Sequence, residues 1–467
     1  MSLPNPVGKQ REVLALDSRG HYVILGTAGS GKTTLAILRA SMLSKAACLP
    51  NERVLLVTFN KALVTYLKEI SGGELSNVDV WNYHKFARGY LAHRGVIDWG
   101  DIADSSTKVK LIQDALESVK VKNSNSIYDK CAEVFCEEIR WIQRMGIVDN
   151  DNYTNAVRVG RAGTRIKKSD RQYFFRVYQR YLELRGCAGY KYDWDDIAYF
   201  VWNEFKTDSS ERMYRHIVID EGQDFSPMML KSLVEAIPGN GSVSFFGDVA
   251  QQIYGSRITW RSAGFQPIDI WNFEENYRNT KEIAELGLAI AKLPFYKDVP
   301  DMVEPKFPKA SGPKPTLVQF EDEAKELDTI LTTAIDQGKT QTVAILVRDR
   351  ETVNNITNYL RLKIPRVQEL HGEMGSWNAN PGISVGTYHS AKGLEFDTVI
   401  MPFCNENRLP DEERIIALEG IEEALTEEVR LIYVGVTRAR QRLLISYTGI
   451  ITPLLPQDGN LYRMVSR

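Results

Sequence analysis

The amino-acid sequence predicts an α/β protein in which the first of two sheet-forming regions is interrupted by a long helical segment. Short apolar runs alternate with stretches of helical periodicity towards both ends of the chain, which is typical of strands buried between layers of helices. Between residues 88 and 209 apolar runs are scarce and helical periodicity dominates, as in residues 108–120, 127–145 and 170–185. A glycine-rich turn at residues 26–34 joins an apolar run to a helical pattern, which favours a phosphate-binding α/β domain.

The glycine-rich turn has the spacing G-x-x-x-x-G-K-[ST] and follows the predicted strand at residues 22–25. Backbone N–H groups in such a turn can surround a phosphate chain, and the N-terminus of the next helix adds partial positive charge. Lys32 is predicted to reach the β- and γ-phosphates, and the Thr33 hydroxyl to ligate Mg²⁺. The pattern therefore predicts a nucleoside triphosphate site. Its predicted residues are Gly26, Ala28, Gly29, Ser30, Gly31, Lys32, Thr33 and Thr34.

Composition and charge are those of an ordinary globular chain. Among 467 residues, 43% are hydrophobic and 25% charged, and the formal net charge of −2 means that a nucleic-acid surface would have to be a local basic patch. No run approaches the roughly 20 apolar residues of a membrane span, and the first residues lack a signal-peptide pattern. Five scattered cysteines predict free thiols in the cytoplasm, with a metal site of Cys131, Cys136 and Cys187 as the alternative.

Several further elements precede the helical segment. Gln10 carries both a donor and an acceptor, so it can read the edge of an adenine. Residues 53–60 predict a buried strand and residues 61–70 a helix. Residues 78–86 predict another strand with aromatic and basic residues at its end, and ligands bind at such carboxyl ends of α/β sheets.

The helical segment contains a basic and aromatic stretch at residues 157–185. This stretch contains nine basic residues and only two acidic residues, Asp170 and Glu183, with five aromatic residues interleaved. This composition suits a single-stranded nucleic acid, whose phosphates pair with cations and whose bases stack on rings. The alternative, which we favour for most of the aromatic residues, is an amphipathic helix with its rings in the core and its arginines in solvent.

A predicted strand at residues 216–219 ends in two carboxylates. Asp220 is placed to hold Mg²⁺, and Glu221 to orient and deprotonate a water that attacks the γ-phosphate. A strand-end Asp-Glu pair is weak evidence alone, but together with the phosphate-binding loop it predicts nucleotide hydrolysis. Another strand is predicted at residues 243–248.

These and further motifs resemble those of superfamily 1 DNA helicases of the UvrD/Rep/PcrA type. Ten segments occur in the order of that family across nearly the whole chain. They are residues 26–34, 58–62, 83–86, 219–224, 247–254, 260–263, 275–280, 343–348, 386–396 and 433–439.

The resemblance implies two RecA-like P-loop motor domains with a helical insertion in the first. The first motor domain would comprise residues 1–87 and 210–272, the insertion residues 88–209, and the second motor domain residues 273–467. Relatives insert a large mobile subdomain, named 2B, between the Arg348 and Thr387 segments. Only 37 residues separate these segments here, so we expect the 2B subdomain to be absent or vestigial.

The resemblance also implies roles for individual residues around ATP and DNA. Gln10 and Tyr277 would bind adenine, with Glu395 near the ribose. Lys32, Asp220 and Glu221 would be catalytic, joined near the γ-phosphate by Gln251, Arg278 and Arg438. Phe59, Tyr254 and Trp260 would stack on DNA bases, and further DNA contacts would come from Asn60, His84, Arg348 and His389.

The sequence thus predicts an ATP-dependent translocase and helicase that moves 3′ to 5′ on single-stranded DNA and acts at junctions with duplex. One alternative is a DNA- or nucleotide-sensing ATPase subunit of a larger repair or antiviral defence complex, with a nuclease or other protein as partner. Another is a P-loop switch or nucleotide kinase without motor function, which leaves the second half of the chain unexplained.

Overall fold

Strands and helices alternate along both ends of the chain and form two parallel sheets. The computed structural model describes residues 5–27, 29–71, 75, 77–156, 166–248, 260, 263–274, 276, 278–294, 310–364, 366–371, 380–411, 415 and 421–466. The elements up to residue 273 are α1 (Lys9–Leu14), β1 (Gly20–Gly26), α2 (Lys32–Ala46), β2 (Arg53–Thr58), α3 (Lys61–Ile70), β3 (Val78–Asn82), α4 (Tyr83–His93), β4 (Ile102–Ala103), α5 (Ser105–Lys122), α6 (Ala132–Met145), α7 (Asn150–Asn155), α8 (Arg171–Cys187), β5 (Tyr192–Asp193), α9 (Ile197–Thr207), β6 (Tyr214–Ile219), α10 (Pro227–Glu235), β7 (Ser242–Gly247) and β8 (Pro267–Phe273).

The first sheet has the strand order β3-β2-β6-β7-β1-β8, with neighbouring strands parallel. The central strands β2, β6 and β7 are buried over nearly their whole length, as expected for a sheet covered by helices on both faces. Separate apolar cores fill the two faces, one beneath α4, α9 and α10 and the other beneath α2 and α3. The register places Leu25 beside Gly247 and Ile219 beside Phe245, so β1, β6 and β7 end at one edge.

The second sheet is formed by the remainder of the chain. Its elements are α11 (Lys281–Ala291), β9 (Thr316–Phe320), α12 (Glu323–Gln337), β10 (Thr342–Val347), α13 (Arg350–Lys363), β11 (Val367–Glu369), β12 (Gly382–Thr387), β13 (Phe396–Met401), α14 (Ile421–Thr437), β14 (Ala439–Thr448) and β15 (Arg463–Ser466). The strand order is β11-β12-β10-β13-β14-β9-β15, again parallel. The predicted α/β class with two parallel-sheet domains is therefore confirmed.

The helical segment has a core of its own, built from α5, α6, α7 and α8. Phe174, Phe175, Tyr178 and Tyr181 are buried in it, so for these rings the amphipathic-helix interpretation is correct. Lys167 and Lys168 are exposed, whereas residues 157–165 lie outside the described residues. On the basis of these cores we propose three parts: residues 1–87 with 210–272, residues 88–209, and residues 273–467. Helix α9 belongs to the second part by position but packs on the first sheet.

Two predicted elements end differently in the structure. The strand predicted over residues 78–86 stops at Asn82, whose side chain accepts a hydrogen bond from the Lys85 N–H at 2.8 Å and caps α4. Residues 83–86 therefore form the first turn of a helix. The helical pattern from residue 127 to 145 is divided, because a short 3₁₀ turn at Ser126–Asp129 precedes α6.

A buried network of charges joins α5 and α8 to the turn that leads into α9, the helix that packs on the first sheet. The Lys108 ammonium lies 2.9 Å from Asp193 and 2.8 Å from Asp195, and Arg185 lies 2.9 Å from Asp193. Burial would raise the pKa of Asp193, but Lys108 and Arg185 outweigh it and hold that pKa below its usual range. Burial and the charge of Asp193 raise the pKa of Asp196 to about 7. The network fixes the turn between α8 and α9 to α5.

Removing the Lys108 cation should leave buried carboxylates uncompensated. We expect Lys108→Ala to lower the free energy of unfolding by about 3–5 kcal/mol, because breaking a buried ion pair strands its partners. Lys110→Ala, at an exposed position on the same helix, is the control and should change it by less than about 0.5 kcal/mol. Urea unfolding followed by circular dichroism measures both, and equal effects would contradict the role of the network.

Candidate nucleotide site between the two sheets

The phosphate-binding loop follows β1 and leads directly into α2. Lys32 is the first residue of α2 and only 8% exposed. Its ammonium donates hydrogen bonds to the carbonyls of Gly26 at 2.8 Å and Thr27 at 2.6 Å, and it lies 3.9 Å from the Asp248 carboxylate. Burial lowers the pKa of Lys32, which the nearby carboxylates oppose. The cation is therefore held at the centre of the loop, where phosphate oxygens can replace the carbonyl acceptors.

Asp220 stands at the end of β6, across the sheet edge from the loop. It is 1% exposed and hydrogen-bonded to the Thr33 side chain. Burial and the charge of Glu221 raise the pKa of Asp220 to about 7. Its Oδ2 atom has no hydrogen-bond partner among the described residues. An unsatisfied buried carboxylate oxygen beside a hydroxyl fits a hard divalent cation, which selects oxygen ligands.

Glu221 is held in an uncommon backbone conformation. Its φ of 52° lies in the left-handed region, which costs a residue with a side chain on the order of 1–3 kcal/mol. The Gln223 amide donates a hydrogen bond to the Glu221 carboxylate at 2.5 Å. Burial would raise the pKa of Glu221, but the cations of Lys392, Arg438 and Lys32 together lower it. A lowered pKa favours the ionised form of Glu221, which is the form that can accept a proton from water.

Two predicted arginines reach this edge from beyond the first sheet. Arg278 forms an ion pair with Glu395, with Nη2 2.6 Å from Oε1, and its Nε atom is buried without a partner among the described residues. Arg438 is 1% exposed and donates to the Val434 carbonyl and the Thr437 hydroxyl, each at 3.1 Å. Burial and the charge of Arg278 lower the pKa of Arg438 to about 10.

A buried ion pair that the sequence did not predict also joins the two halves. Lys392, in the turn after β12, pairs with Asp224, which follows β6. Burial raises the pKa of Asp224 to about 6, against the effect of Lys392. The two residues are 168 positions apart, and no local pattern relates them.

Gln10, which the sequence assigns to adenine, lies beside the loop. Its amide Nε2 donates to the Ser30 carbonyl at 3.2 Å, and its Oε1 accepts from the Val7 N–H at 3.0 Å. Ala28, Gln251 and Tyr277, which the sequence also assigns to the nucleotide, lie outside the described residues.

Aromatic residues predicted to stack on DNA are half-buried at the same edge of the first sheet. Phe59 meets His84 edge-on with 5.8 Å between ring centroids, and the His84 ring lies 5.1 Å from Trp194. Trp194 was not predicted, because a single tryptophan in a helical region carries no distinguishing pattern. Trp260 packs against Phe245 at 4.9 Å. Asn60 follows β2 and is half-buried, whereas Tyr254 lies outside the described residues.

The predicted DNA contacts of the second sheet differ in their surroundings. Arg348 forms a bidentate ion pair with Glu428, with Nε 2.8 Å and 3.0 Å from its two carboxylate oxygens. Glu428 is fully buried, so this arginine is anchored within its own domain. His389 is half-buried in the turn after β12. That Arg348 and His389 bind DNA stays a prediction.

None of the described helices combines the length and apolar character that a membrane crossing requires. The described residues also contain no cluster of three or more His, Cys, Asp or Glu side chains arranged to hold a metal ion.

Comparison with known proteins gives relatives over most of the chain. A probable DNA helicase of Mycoplasma pneumoniae is 22% identical over 94% of this chain and 82% of its own length. The ATP-dependent DNA helicase UvrD2 of Mycobacterium tuberculosis is 22% identical over 94% of this chain and 78% of its own length. The putative ATP-dependent DNA helicase YjcD of Bacillus subtilis is 23% identical over 57% of this chain, and this match spans only 34% of that relative.

Two family models match in the order of the two sheets. The model of the UvrD/REP helicase N-terminal domain matches residues 7–277, more than half of the chain. The model of the UvrD-like helicase C-terminal domain matches residues 363–449. Together with the acidic pair, the phosphate-binding loop and the arginines that meet between the sheets, these matches confirm the resemblance: the chain belongs to the UvrD/Rep family of superfamily 1 DNA helicases and is an ATP hydrolase.

Proposed function

We propose that this chain is a motor that couples ATP hydrolysis to movement along single-stranded DNA, 3′ to 5′, and separates duplex ahead of it. The observation that carries the proposal is that one hydrolytic site draws its charged groups from both sheets. Lys32, Asp220 and Glu221 belong to the first, and Arg278 and Arg438 reach them from beyond it. A site shared in this way is complete only when the two domains are together.

The chemistry follows from the position of each group. Thr33 and Asp220 would hold Mg²⁺, which neutralises charge on the phosphate oxygens when bound. Glu221 orients the attacking water and accepts its proton. Lys32, Arg278 and Arg438 stabilise the charge that spreads over the γ-phosphate oxygens. Gln251 is assigned to the γ-phosphate, Gln10 and Tyr277 to adenine, and Glu395 to the ribose edge.

Movement follows from a change in the ion-pair partner of Arg278. Arg278 is paired with Glu395, and the γ-phosphate competes with that carboxylate for the guanidinium. ATP therefore favours a closed arrangement of the two domains, and loss of the γ-phosphate removes that preference. Phe59, Tyr254 and Trp260 would hold successive nucleotides by stacking, and Asn60, His84, Arg348 and His389 by polar contacts. Stacking tolerates any base sequence, as a moving motor requires.

A second candidate function is an ATPase subunit that senses DNA or nucleotide within a repair or antiviral defence complex. It is favoured by the segment between Arg348 and Thr387, where the described residues form only α13, β11 and most of β12. Leu362 on α13 is 86% exposed, and β11 is an edge strand of the second sheet. Such a surface is available to a protein partner, for which a nuclease is one candidate.

Substitution of the proposed base should separate binding from hydrolysis. Glu221→Gln keeps the size of the side chain but cannot accept the proton, so we expect ATP to bind while turnover falls by at least roughly 100-fold. Glu235→Gln, at an exposed position on α10, is the matched control. Steady-state hydrolysis and nucleotide binding measure the two quantities, and normal turnover in Glu221→Gln would refute the assignment of the base.

Loss of one stacking ring should weaken the grip on DNA. We expect Trp260→Ala to reduce affinity for single-stranded DNA by roughly 1–3 kcal/mol and to reduce the stimulation of ATP hydrolysis by DNA. Trp271→Ala is the control, since Trp271 is also half-buried but packs in the core on the other face of the first sheet. Fluorescence anisotropy with a labelled oligonucleotide measures the affinity. If both variants bind alike, Trp260 does not lie on the DNA path.

The isolated chain should open short duplexes better than long ones. Each base-pair step costs about 1.4 kcal/mol on average to separate, and a chain without the 2B subdomain has fewer surfaces to hold the junction. We expect single strands to stimulate hydrolysis, and unwinding from a 3′ tail to decline steeply with duplex length. The Glu221→Gln variant controls for passive melting. Efficient opening of long duplexes would favour a self-sufficient helicase, and a requirement for a 5′ tail would overturn the polarity.

A further inference from the structure

Two buried asparagines lie between the phosphate-binding loop and both arginines. Asn276 is 7% exposed and Asn279 2% exposed, and they occupy the segment that leads from β8 of the first sheet to α11. Neither carries a charge or can transfer a proton at neutral pH, so any contribution to hydrolysis must act through their neighbours.

Asn276 connects the loop to Arg278. Its Oδ1 accepts hydrogen bonds from the backbone N–H groups of Arg278 at 2.9 Å and Asn279 at 3.2 Å. The same oxygen lies against Gly29, where an added Cβ would stand 2.3 Å away. Gly29 has a φ of 79°, so glycine suits both its conformation and this close approach. A displacement of the loop by a bound phosphate therefore acts directly on the amide that orients Arg278.

Asn279 connects Asn276 to the segment that carries Arg438. Its Oδ1 accepts from the Asn276 amide at 2.8 Å. Its own amide nitrogen donates to the carbonyls of Ala439 at 2.5 Å and Thr437 at 3.3 Å, the residues on either side of Arg438. The backbone that carries Arg438 is thus tied to the side chain of Asn279 at two points.

We infer that Asn276 and Asn279 are positioning residues that set Arg278 and Arg438 in register with the phosphate-binding loop. Each of the two amides uses a donor and an acceptor in a path of hydrogen bonds from the Arg278 backbone to the residues beside Arg438, and the Asn276 end of this path lies against Gly29 of the loop. A path of short, buried and directional bonds holds its ends within a fraction of an ångström, and misplacement of a catalytic group by about 1 Å costs on the order of 100-fold in rate. The inference rests on the proposed function, in which both arginines face the γ-phosphate.

Substitution at Asn279 tests this arrangement. Asn279→Ala removes the path, whereas Asn279→Asp keeps the size and the acceptor but loses the donor to the two carbonyls. We expect both variants to lower kcat for DNA-stimulated hydrolysis by on the order of tenfold to a hundredfold, with less than a threefold change in the dissociation constant of ATP. Asn405→Ala is the matched control, because Asn405 is equally buried at 2% exposure but bonds to Asn407 instead.

A double-mutant cycle with Arg438→Ala separates positioning from a general structural role. If Asn279 acts through Arg438, adding Asn279→Ala to Arg438→Ala should lower kcat by less than about twofold further. The inference would be overturned if the losses of kcat in Asn279→Ala and Arg438→Ala multiplied in the double variant, or if Asn279→Asp had a normal kcat. It would also be overturned if Asn279→Ala lost no more kcat than Asn405→Ala at equal thermal stability. Normal hydrolysis in Arg438→Ala itself would instead refute the proposed role of that arginine.

Discussion

The balance of buried charge between the two sheets is the constraint on which the rest of the structure depends. Cations and carboxylates from both halves of the chain meet there with little access to water. They are Lys32, Asp220, Glu221, Asp224, Asp248, Arg278, Lys392, Glu395 and Arg438. An isolated buried charge is costly, and the cost is offset only while its partners remain in place. A nucleotide that adds negative charge between the loop and the arginines must therefore change the pairing on both sides.

In the proposed function, this charge balance lets the domain interface respond to a bound nucleotide. Lys392 pairs with Asp224 and also lowers the pKa of Glu221, so one cation of the second sheet serves two carboxylates of the first. Arg278 likewise pairs with Glu395, and in the proposed function it also binds the γ-phosphate. Each pair contributes opposite charges that attract strongly at low dielectric, so a change in one pairing alters the preferred distance between the domains.

Local patterns in the sequence predicted the parts of the site that are continuous in the chain. Lys32 and Thr33 belong to a single turn with fixed spacing, and Asp220 and Glu221 end a single apolar strand, so each was visible without knowledge of the fold. Arg278 and Arg438 were assigned only through the resemblance, because an arginine in a helical region has no distinguishing pattern. The bonds from Asn279 to Ala439 and from Lys392 to Asp224 span 160 and 168 positions, and only long-range packing creates them.

The error at residues 83–86 shows how one side chain can override an aromatic, strand-like pattern. Asn82 satisfies the free N–H of Lys85 in the first turn of α4, and that capping bond turns the chain into a helix directly after β3. Helical geometry places His84 beside Phe59 and Trp194, whereas an extended strand would alternate its side chains between the two sheet faces.

Packing behind the acidic pair accounts for the strained backbone of Glu221. The next residue, Gly222, has no side chain, and an added Cβ would stand 2.2 Å from the Phe245 ring. That ring, at the centre of β7, packs also against Trp260, so a single aromatic side chain supports both the catalytic turn and a proposed DNA-stacking residue. The contact between Trp260 and Phe245 therefore joins the proposed DNA-stacking residue to the turn that carries Glu221, over two side chains and one glycine.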